Sequence, residues 1–129
     1  GMQGKEADYV VLPCGSGELF AAALRYYYLS NTEVIAVTTD NPNTKASMLY
    51  ARYRPSLDRV LSHGNPTRYD LIRVNEDEIF GAYGWAKERI NCEPSSAAAF
   101  VAFERYKGIF KPSDTITVLN TGNGLKNFS

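Results

Sequence analysis

The sequence predicts an α/β domain of three layers, in which a mostly parallel sheet lies between helices. Near the start, an apolar run at residues 9–12 is followed by a glycine loop and an alanine-rich helical pattern. Residues 33–39 then form a second apolar run rich in β-branched side chains, and residues 115–120 form a third near the end. Buried strands that alternate with helical patterns are typical of parallel sheets.

Size and charge limit the classes of function. A chain of 129 residues is expected to form one domain with one core. Its 14 basic and 14 acidic residues balance without a block of one sign, so we expect neither a nucleic-acid-binding surface nor a membrane-attracting patch. Without an apolar run of membrane-spanning length or a signal-peptide pattern, the sequence predicts a cytoplasmic protein. Gly1 before Met2 is typical of tag removal, so residues 1–8 are interpreted as a tag remnant and tail, and residues 9–129 as the single domain.

The remaining elements are predicted from local patterns. Residues 18–29 form a helix that is apolar nearly all round, so we expect it to be covered on more than one side. Asn75 followed by Glu78 is typical of a capping box at the start of a helix. The other expected elements are a helix from Thr44 to the break at Pro55, a helical turn over residues 55–61 that ends at His63-Gly64, an edge strand over residues 69–74 with one solvent-exposed face, a helix over residues 79–90, and a helix over residues 97–103 that follows Ser95-Ser96.

The segment Pro13-Cys14-Gly15-Ser16-Gly17 is the main candidate for a binding loop. Its two glycines allow backbone N–H groups to approach an anion at the N-terminus of the following helix, so a phosphate group is the expected ligand. The loop is not a P-loop, because no Gly-Lys-Ser/Thr follows, and Phe20 stands where a dinucleotide-binding loop has its third glycine. A tight turn without a ligand explains the same pattern.

The cysteines and the histidine predict no metal site. Cys14 and Cys92 lack metal-ligand spacing and are interpreted as reduced, mostly buried thiols. A second, less favoured interpretation is that N–H groups around an anion site lower the pKa of the Cys14 thiol. His63 is the only histidine and is expected on the surface.

Ligands of parallel sheets bind at the carboxyl ends of the strands. The loop at Gly15, a second glycine loop at residues 121–124 and Asp40 all follow predicted strands, so we expect them at that edge.

Three segments, taken in order, resemble the C-terminal part of pyridoxal-phosphate enzymes of the threonine synthase, threonine dehydratase and cysteine synthase superfamily. They are residues 13–17, Glu93-Pro94-Ser95-Ser96-Ala97-Ala98, and residues 118–126. The last is most similar to threonine synthase, whose pattern is Thr-Gly-His-Gly-Leu-Lys, with Asn123 here in place of the histidine. The resemblance extends from residue 9 to residue 126 and implies a partial version of the threonine synthase-like fold with pyridoxal 5'-phosphate as cofactor.

The resemblance also implies a set of cofactor-binding residues. Backbone N–H groups of the glycine loop would hold the phosphate, although the family more often has a glycine where Glu18 stands. Thr121 would hydrogen-bond the pyridine nitrogen and Glu93 would lie on the cofactor side of the sheet, but a turn residue and a carboxylate at a helix N-terminus explain these two residues nearly as well. The implied residues are Gly15, Ser16, Gly17, Glu18, Leu19, Glu93 and Thr121.

The N-terminal portion of such enzymes, with the lysine that forms the Schiff base, has no counterpart here. None of the lysines stands in the family's Ser-x-Lys-Asp/Asn context; they are Lys5, Lys45, Lys87, Lys107, Lys111 and Lys126. The resemblance therefore implies no catalytic residue and no amino-acid elimination or replacement activity by this chain alone. We expect either a separately encoded N-terminal half or a homo-oligomer that buries the 18–29 helix or its neighbours, because a bared strand edge and the tyrosines at 26–28, 50 and 53 would otherwise be uncovered.

Two other interpretations stay open. Residues 11–17 resemble the glycine loop of S-adenosylmethionine-dependent methyltransferases, with Asp40 near the end of the second strand as the expected ribose ligand. Against this, Leu12-Pro13 stands where that loop usually has an acidic residue. The third interpretation is an interaction module that binds no small ligand.

Overall fold

A computed structural model describes residues 7–63, 67–86, 88, 100–119 and 127–128. Its described strands form one sheet in the order β3-β2-β1-β4-β5, in which β1 to β4 are parallel and β5 is antiparallel to β4. Their bounds are β1 Tyr9–Pro13, β2 Glu33–Thr38, β3 Tyr69–Arg73, β4 Ile116–Leu119 and β5 Asn127–Phe128. The mostly parallel α/β fold predicted from the sequence is therefore confirmed, and β5 is the strand that the sequence did not predict.

Helices cover both faces of the sheet. The described helices are α1 Glu18–Tyr26, α2 Pro55–His63, α3 Glu76–Ala86 and α4 Val101–Arg105. Side chains alternate across a strand, so Val10 and Leu12 of β1 pack in the cluster that contains α1 and α2, whereas Val11 packs in the cluster that contains α3 and α4. The central strands are buried on both faces, which explains why residues 10–12 of β1 and 34–37 of β2 are apolar at every position.

The coverage expected for α1 is not found within the described chain. Phe20, Ala23 and Leu24 are its buried residues, and they lie on one face of the helix. Tyr26 is 80% exposed, and Leu29 in the following turn is 85% exposed. The prediction that more than one side is covered is therefore wrong for the part of the chain that the structure describes, in which the sheet and α2 contact a single face of α1.

The prediction of a helix from Thr44 to the break at Pro55 is also wrong. The segment contains only a 3₁₀ turn, Ser47–Leu49. The carbonyl oxygen of Leu49 accepts hydrogen bonds from the Thr38 hydroxyl, at 2.8 Å, and from the Thr39 N–H, at 3.2 Å. These bonds attach the segment to the end of β2, so the Leu49 carbonyl accepts from the strand end instead of from a following helical turn.

The region around α3 follows the sequence closely. Asn75 Oδ1 accepts the Glu78 N–H at 2.8 Å, and Glu78 Oε1 accepts the Asn75 N–H at 3.0 Å, which is the predicted capping box. β3 is an edge strand of the described sheet, as predicted, but Tyr69 and Leu71 pack on one side of it and Ile72 on the other, so the expected single wet face is wrong.

The structure tests the predictions for α2 and His63 but not those for the residues it leaves undescribed. α2 continues through His63 and is longer than the predicted turn, and the exposed His63 confirms a surface histidine. The serine cap at Ser95-Ser96 and the C-terminal end predicted for α3 lie outside the described residues. No described helix has the length and apolar character that crossing a bilayer requires.

Candidate functional site

The glycine loop connects β1 to α1 at the carboxyl edge of the sheet. The Cys14 N–H donates to the Val37 carbonyl at 2.7 Å, so β1 stays paired with β2 up to the loop. Gly17 has φ of 99°, in the left-handed region, and its carbonyl accepts the Ala21 N–H at 2.8 Å, which starts α1. No side-chain hydrogen bond caps α1 at Gly17. The first N–H groups of the helix therefore have neither an intrahelical acceptor nor a side-chain cap at this residue.

Both glycines are required by packing against the chain itself. A Cβ on Gly15 would lie 2.7 Å from the Met48 carbonyl oxygen, and one on Gly17 would lie 2.4 Å from the Leu57 nitrogen. The Leu57 N–H also donates to the Ser16 carbonyl at 3.2 Å. Contacts within the chain thus explain both glycines without a ligand, which agrees with the interpretation of the loop as a tight turn. The evidence for a binding site is the uncapped helix terminus, since the two glycines have a packing explanation.

Cys14 is a buried thiol, 1% exposed and free. Burial raises the pKa of the Cys14 thiol to about 11, and the positive charges of Arg54 and Arg73 only partly oppose this. The favoured interpretation of Cys14 is confirmed and the alternative of a lowered pKa is wrong, because desolvation outweighs the nearby positive charge. Cys92 lies outside the described residues.

Asp40 follows β2 and is ion-paired. Its carboxylate oxygens lie 3.7 Å from Arg54 Nη1 and 3.4 Å from Arg73 Nε. Arg54 also donates to the carbonyl oxygens of Ala51, at 2.9 Å, and Thr39, at 3.0 Å. Arg54 therefore holds the loop after β2 against the segment that leads into α2, a role that the sequence analysis missed.

Glu76 holds the loop that reaches the glycine loop. Its Oε2 accepts the Lys45 N–H at 3.0 Å. Burial opposes ionisation of Glu76, but hydrogen bonds from the Lys45 backbone and from the Thr44 and Asn41 side chains outweigh it and lower the pKa of the carboxyl. This ionised carboxylate attaches the loop to the first turn of α3 and so helps to fix the position of Met48 beside Gly15.

The predicted site residues are brought together in part. Gly15, Ser16, Gly17, Glu18 and Leu19 form the loop and the first helical residues that follow β1; Gly17 is buried and the Glu18 side chain is exposed. Glu93 and Thr121 lie outside the described residues, as does the second glycine loop. β4, the strand that leads into that loop, is the parallel neighbour of β1, with Val11 opposite Val118.

An apolar cleft of about 630 Å³ lies on the other face of the sheet, between α3 and α4. Its walls include Ala82, Trp85, Phe100 and Phe103. This cleft is separate from the glycine loop, because α3 and α4 pack in the cluster opposite to the one that contains α1.

The class of protein follows from this arrangement. A parallel sheet whose inner strand leads through a glycine loop into an uncapped helix N-terminus is the geometry with which α/β proteins bind phosphate groups. The chain belongs to the family described as "Pyridoxal-phosphate dependent enzyme", whose sequence profile matches residues 2–122. This confirms the resemblance found in the sequence.

Solved structures show the same fold. A threonine deaminase from T.th. is similar with a TM-score of 0.67 and 19% identity, covering 98% of this chain and 51% of the deaminase. A fungal L-serine ammonia-lyase from Rhizomucor miehei is similar with a TM-score of 0.64 and 18% identity, covering 97% of this chain and 47% of the lyase. The chain therefore spans about half the length of these solved structures. No curated protein sequence matches it.

The described residues fit the phosphate end of pyridoxal phosphate, and two of the described lysines lie away from that end. The donors at α1 suit a phosphate group. Lys107 follows Tyr106, which contacts the start of β1, and Lys111 precedes the turn into β4, so both lie towards the amino edge of the sheet. Lys45 is exposed in the loop after β2. Lys5, Lys87 and Lys126 lie outside the described residues.

Proposed function

We propose that this chain binds pyridoxal phosphate by its phosphate group and acts as the cofactor-binding half of a larger enzyme. The observation that carries the proposal is the N-terminus of α1, which begins at a left-handed glycine without a side-chain cap. Family membership makes pyridoxal phosphate the first phosphate compound to test.

The proposed donors are the backbone N–H groups of residues 15–19, with Thr121 as partner of the pyridine nitrogen and Glu93 on the cofactor side of the sheet. The helix dipole and the oriented N–H groups both favour a dianionic group at this place. The ring of the cofactor would supply the electron sink that amino-acid chemistry needs. This chain would bind and orient the cofactor, and the lysine that anchors it would come from a separate portion.

Amino-acid turnover is proposed only for the assembly with that portion. The solved structures that share the fold are described as acting on threonine and serine, so a hydroxy amino acid is the substrate class to test first. For the chain alone we propose no turnover. Borohydride reduction after incubation with pyridoxal phosphate should leave no single lysine labelled in full, and one fully labelled lysine together with turnover would contradict this part of the proposal.

Glu18 makes the phosphate proposal testable by mutation. Its side chain is exposed in the first turn of α1, where a carboxylate repels a bound phosphate. Glu18→Gln should therefore tighten binding of pyridoxal phosphate by about threefold to tenfold, the effect of roughly one kcal/mol between partly screened charges. Asp77→Asn is the matched control, because Asp77 is an exposed acid in the first turn of α3.

The measurement is a titration monitored by cofactor absorbance and by the shift in melting temperature. Pyridoxal phosphate should bind, pyridoxal without phosphate should bind more weakly, and Glu18→Gln should strengthen only the phosphate form. Equal binding of both compounds would contradict a phosphate site. S-adenosylmethionine is included because of the methyltransferase-like loop, although the ion pairs of Asp40 with Arg54 and Arg73 leave it less suited to bind a ribose. A chain that binds none of the three would favour the interaction module.

A further inference from the structure

The exposed face of α1 carries an ordered pattern of charge. Glu18, Ala22 and Arg25 follow each other at helical spacing on the side opposite to the buried Phe20, Ala23 and Leu24. Neither Glu18 nor Arg25 forms an ion pair with a described residue. An acid and a base thus lie at the two ends of one exposed stripe, with a small residue between them.

Apolar area borders this stripe. Tyr26 is 80% exposed and Leu29 is 85% exposed. The backbone of Leu29 has φ of 70°, a conformation that residues other than glycine seldom adopt. Aromatic and large apolar side chains that stand this far out of a surface are typical of the cores of protein interfaces. The stripe and these two side chains together form what we call the α1 face.

The charges indicate what covers the α1 face. A two-fold axis that passes near Ala22 relates each helix to an antiparallel copy of itself, and it places Glu18 of one chain opposite Arg25 of the other, twice. The small side chain of Ala22 permits close approach of the helices at the crossing point. The face is therefore complementary to itself in charge, and its centre is small enough for the two helices to approach.

We propose that two copies of this chain associate through the α1 face, with their α1 helices antiparallel. The acid in the first turn and the base in the last turn also interact favourably with the helix dipole, but that effect does not require both on the side opposite to the buried residues. The proposal does not depend on cofactor binding and is tested in the absence of pyridoxal phosphate.

The test is a charge exchange followed by analytical ultracentrifugation over a range of protein concentrations. Glu18→Lys brings two bases together at each contact, and Arg25→Glu brings two acids together, so each variant should weaken self-association about tenfold or more. An equimolar mixture of the two variants pairs opposite charges at both places and should associate like the unmodified chain. This recovery separates the interface from any loss of helix stability, because instability persists in the mixture.

Asp77→Lys is the matched control, since it also changes an exposed acid to lysine in the first turn of a helix. It should leave association unchanged. A monomeric unmodified chain at high concentration, single variants that associate normally, or a mixture that stays as weak as its components would each overturn the proposal.

Discussion

The N-termini of α1 and α3 both lie at the carboxyl edge of the sheet, because each helix follows a parallel strand. At α3, Asn75 and Glu78 satisfy each other's backbone N–H groups, and Glu76, Asp77 and Glu78 place three acids in the first turn. At α1, Gly17 supplies no side-chain cap and one acid follows. At α3 the Glu78 N–H is occupied by the Asn75 side chain and the three acids repel an anion, so of these two termini α1 is the one suited to a phosphate group.

The two termini are also held in place differently. The α3 terminus is fixed by side chains of its own turn, whereas the α1 terminus is fixed by a neighbouring backbone, since Leu57 contacts Gly17 and donates to Ser16. A loop held by backbone contacts keeps its position without using side-chain groups that would otherwise occupy a ligand site. The comparison therefore predicts that mutations affect the two termini by different mechanisms and to different extents.

The largest effect on stability is expected from the substitution Gly17→Ala. The new Cβ would meet the Leu57 nitrogen at 2.4 Å, and φ of 99° is unfavourable for alanine. We expect the free energy of unfolding to fall by about 3 kcal/mol or more, measured by urea denaturation. Gly108→Ala is the control, because a Cβ there meets nothing within 4 Å. If the two variants are equally stable, the backbone contact does not fix the α1 terminus.

A smaller effect is expected from Asn75→Ala. The substitution removes the cap of the Glu78 N–H and should lower the free energy of unfolding by about 1 kcal/mol. Asn43→Ala, at an exposed turn position, is the matched control and should change stability little. Equal stability of the two variants would show that the α3 terminus is satisfied without its capping box.

The smallest effect is a pH dependence that involves Glu78. Burial opposes ionisation, but the Asn75 N–H and Arg105 outweigh it and lower the pKa of Glu78 in the folded chain. A lowered pKa gives stability that is fully present above the unfolded value, near 4.5, and is lost as the pH falls through the folded value.

Glu78→Gln should therefore cost more stability at pH 6 than at pH 3. Solvent screening limits the difference to about 0.5 kcal/mol. Denaturant midpoints at the two pH values measure it, with Asp77→Asn as control for the loss of one exposed acid. The same cost at both pH values would mean that the carboxylate of Glu78 does not contribute through its charge.

The parts of the molecule that the sequence predicts correctly are those in which the signal is local. The interiors of β1 and β2 are apolar because both faces are buried, and Asn75 with Glu78 forms a cap within one turn. The segment after β2 differs from the helix that its sequence predicts, because the bonds from Thr38 and Thr39 to Leu49 depend on the tertiary fold. β5, at two residues, is too short to show a period.

The candidate site shows the same limit. Gly15 and Gly17 are recognisable as a loop, but the approach of Met48 and Leu57, which explains both glycines, joins residues far apart in the chain. The role of Arg54 is hidden for the same reason, since its acceptors on Ala51 and Thr39 meet only in the folded chain. A glycine pattern in a sequence therefore does not distinguish a ligand site from a packing requirement.

Backbone amide chemical shifts during a titration with pyridoxal phosphate, followed by NMR, test the difference between the two helix termini most directly. We expect the N–H signals of residues 15–19 to move with one binding constant and those of residues 76–78 to stay in place. Inorganic phosphate should move the same signals more weakly. Shifts at residues 76–78 with none at residues 15–19 would contradict the assignment of the phosphate site to α1.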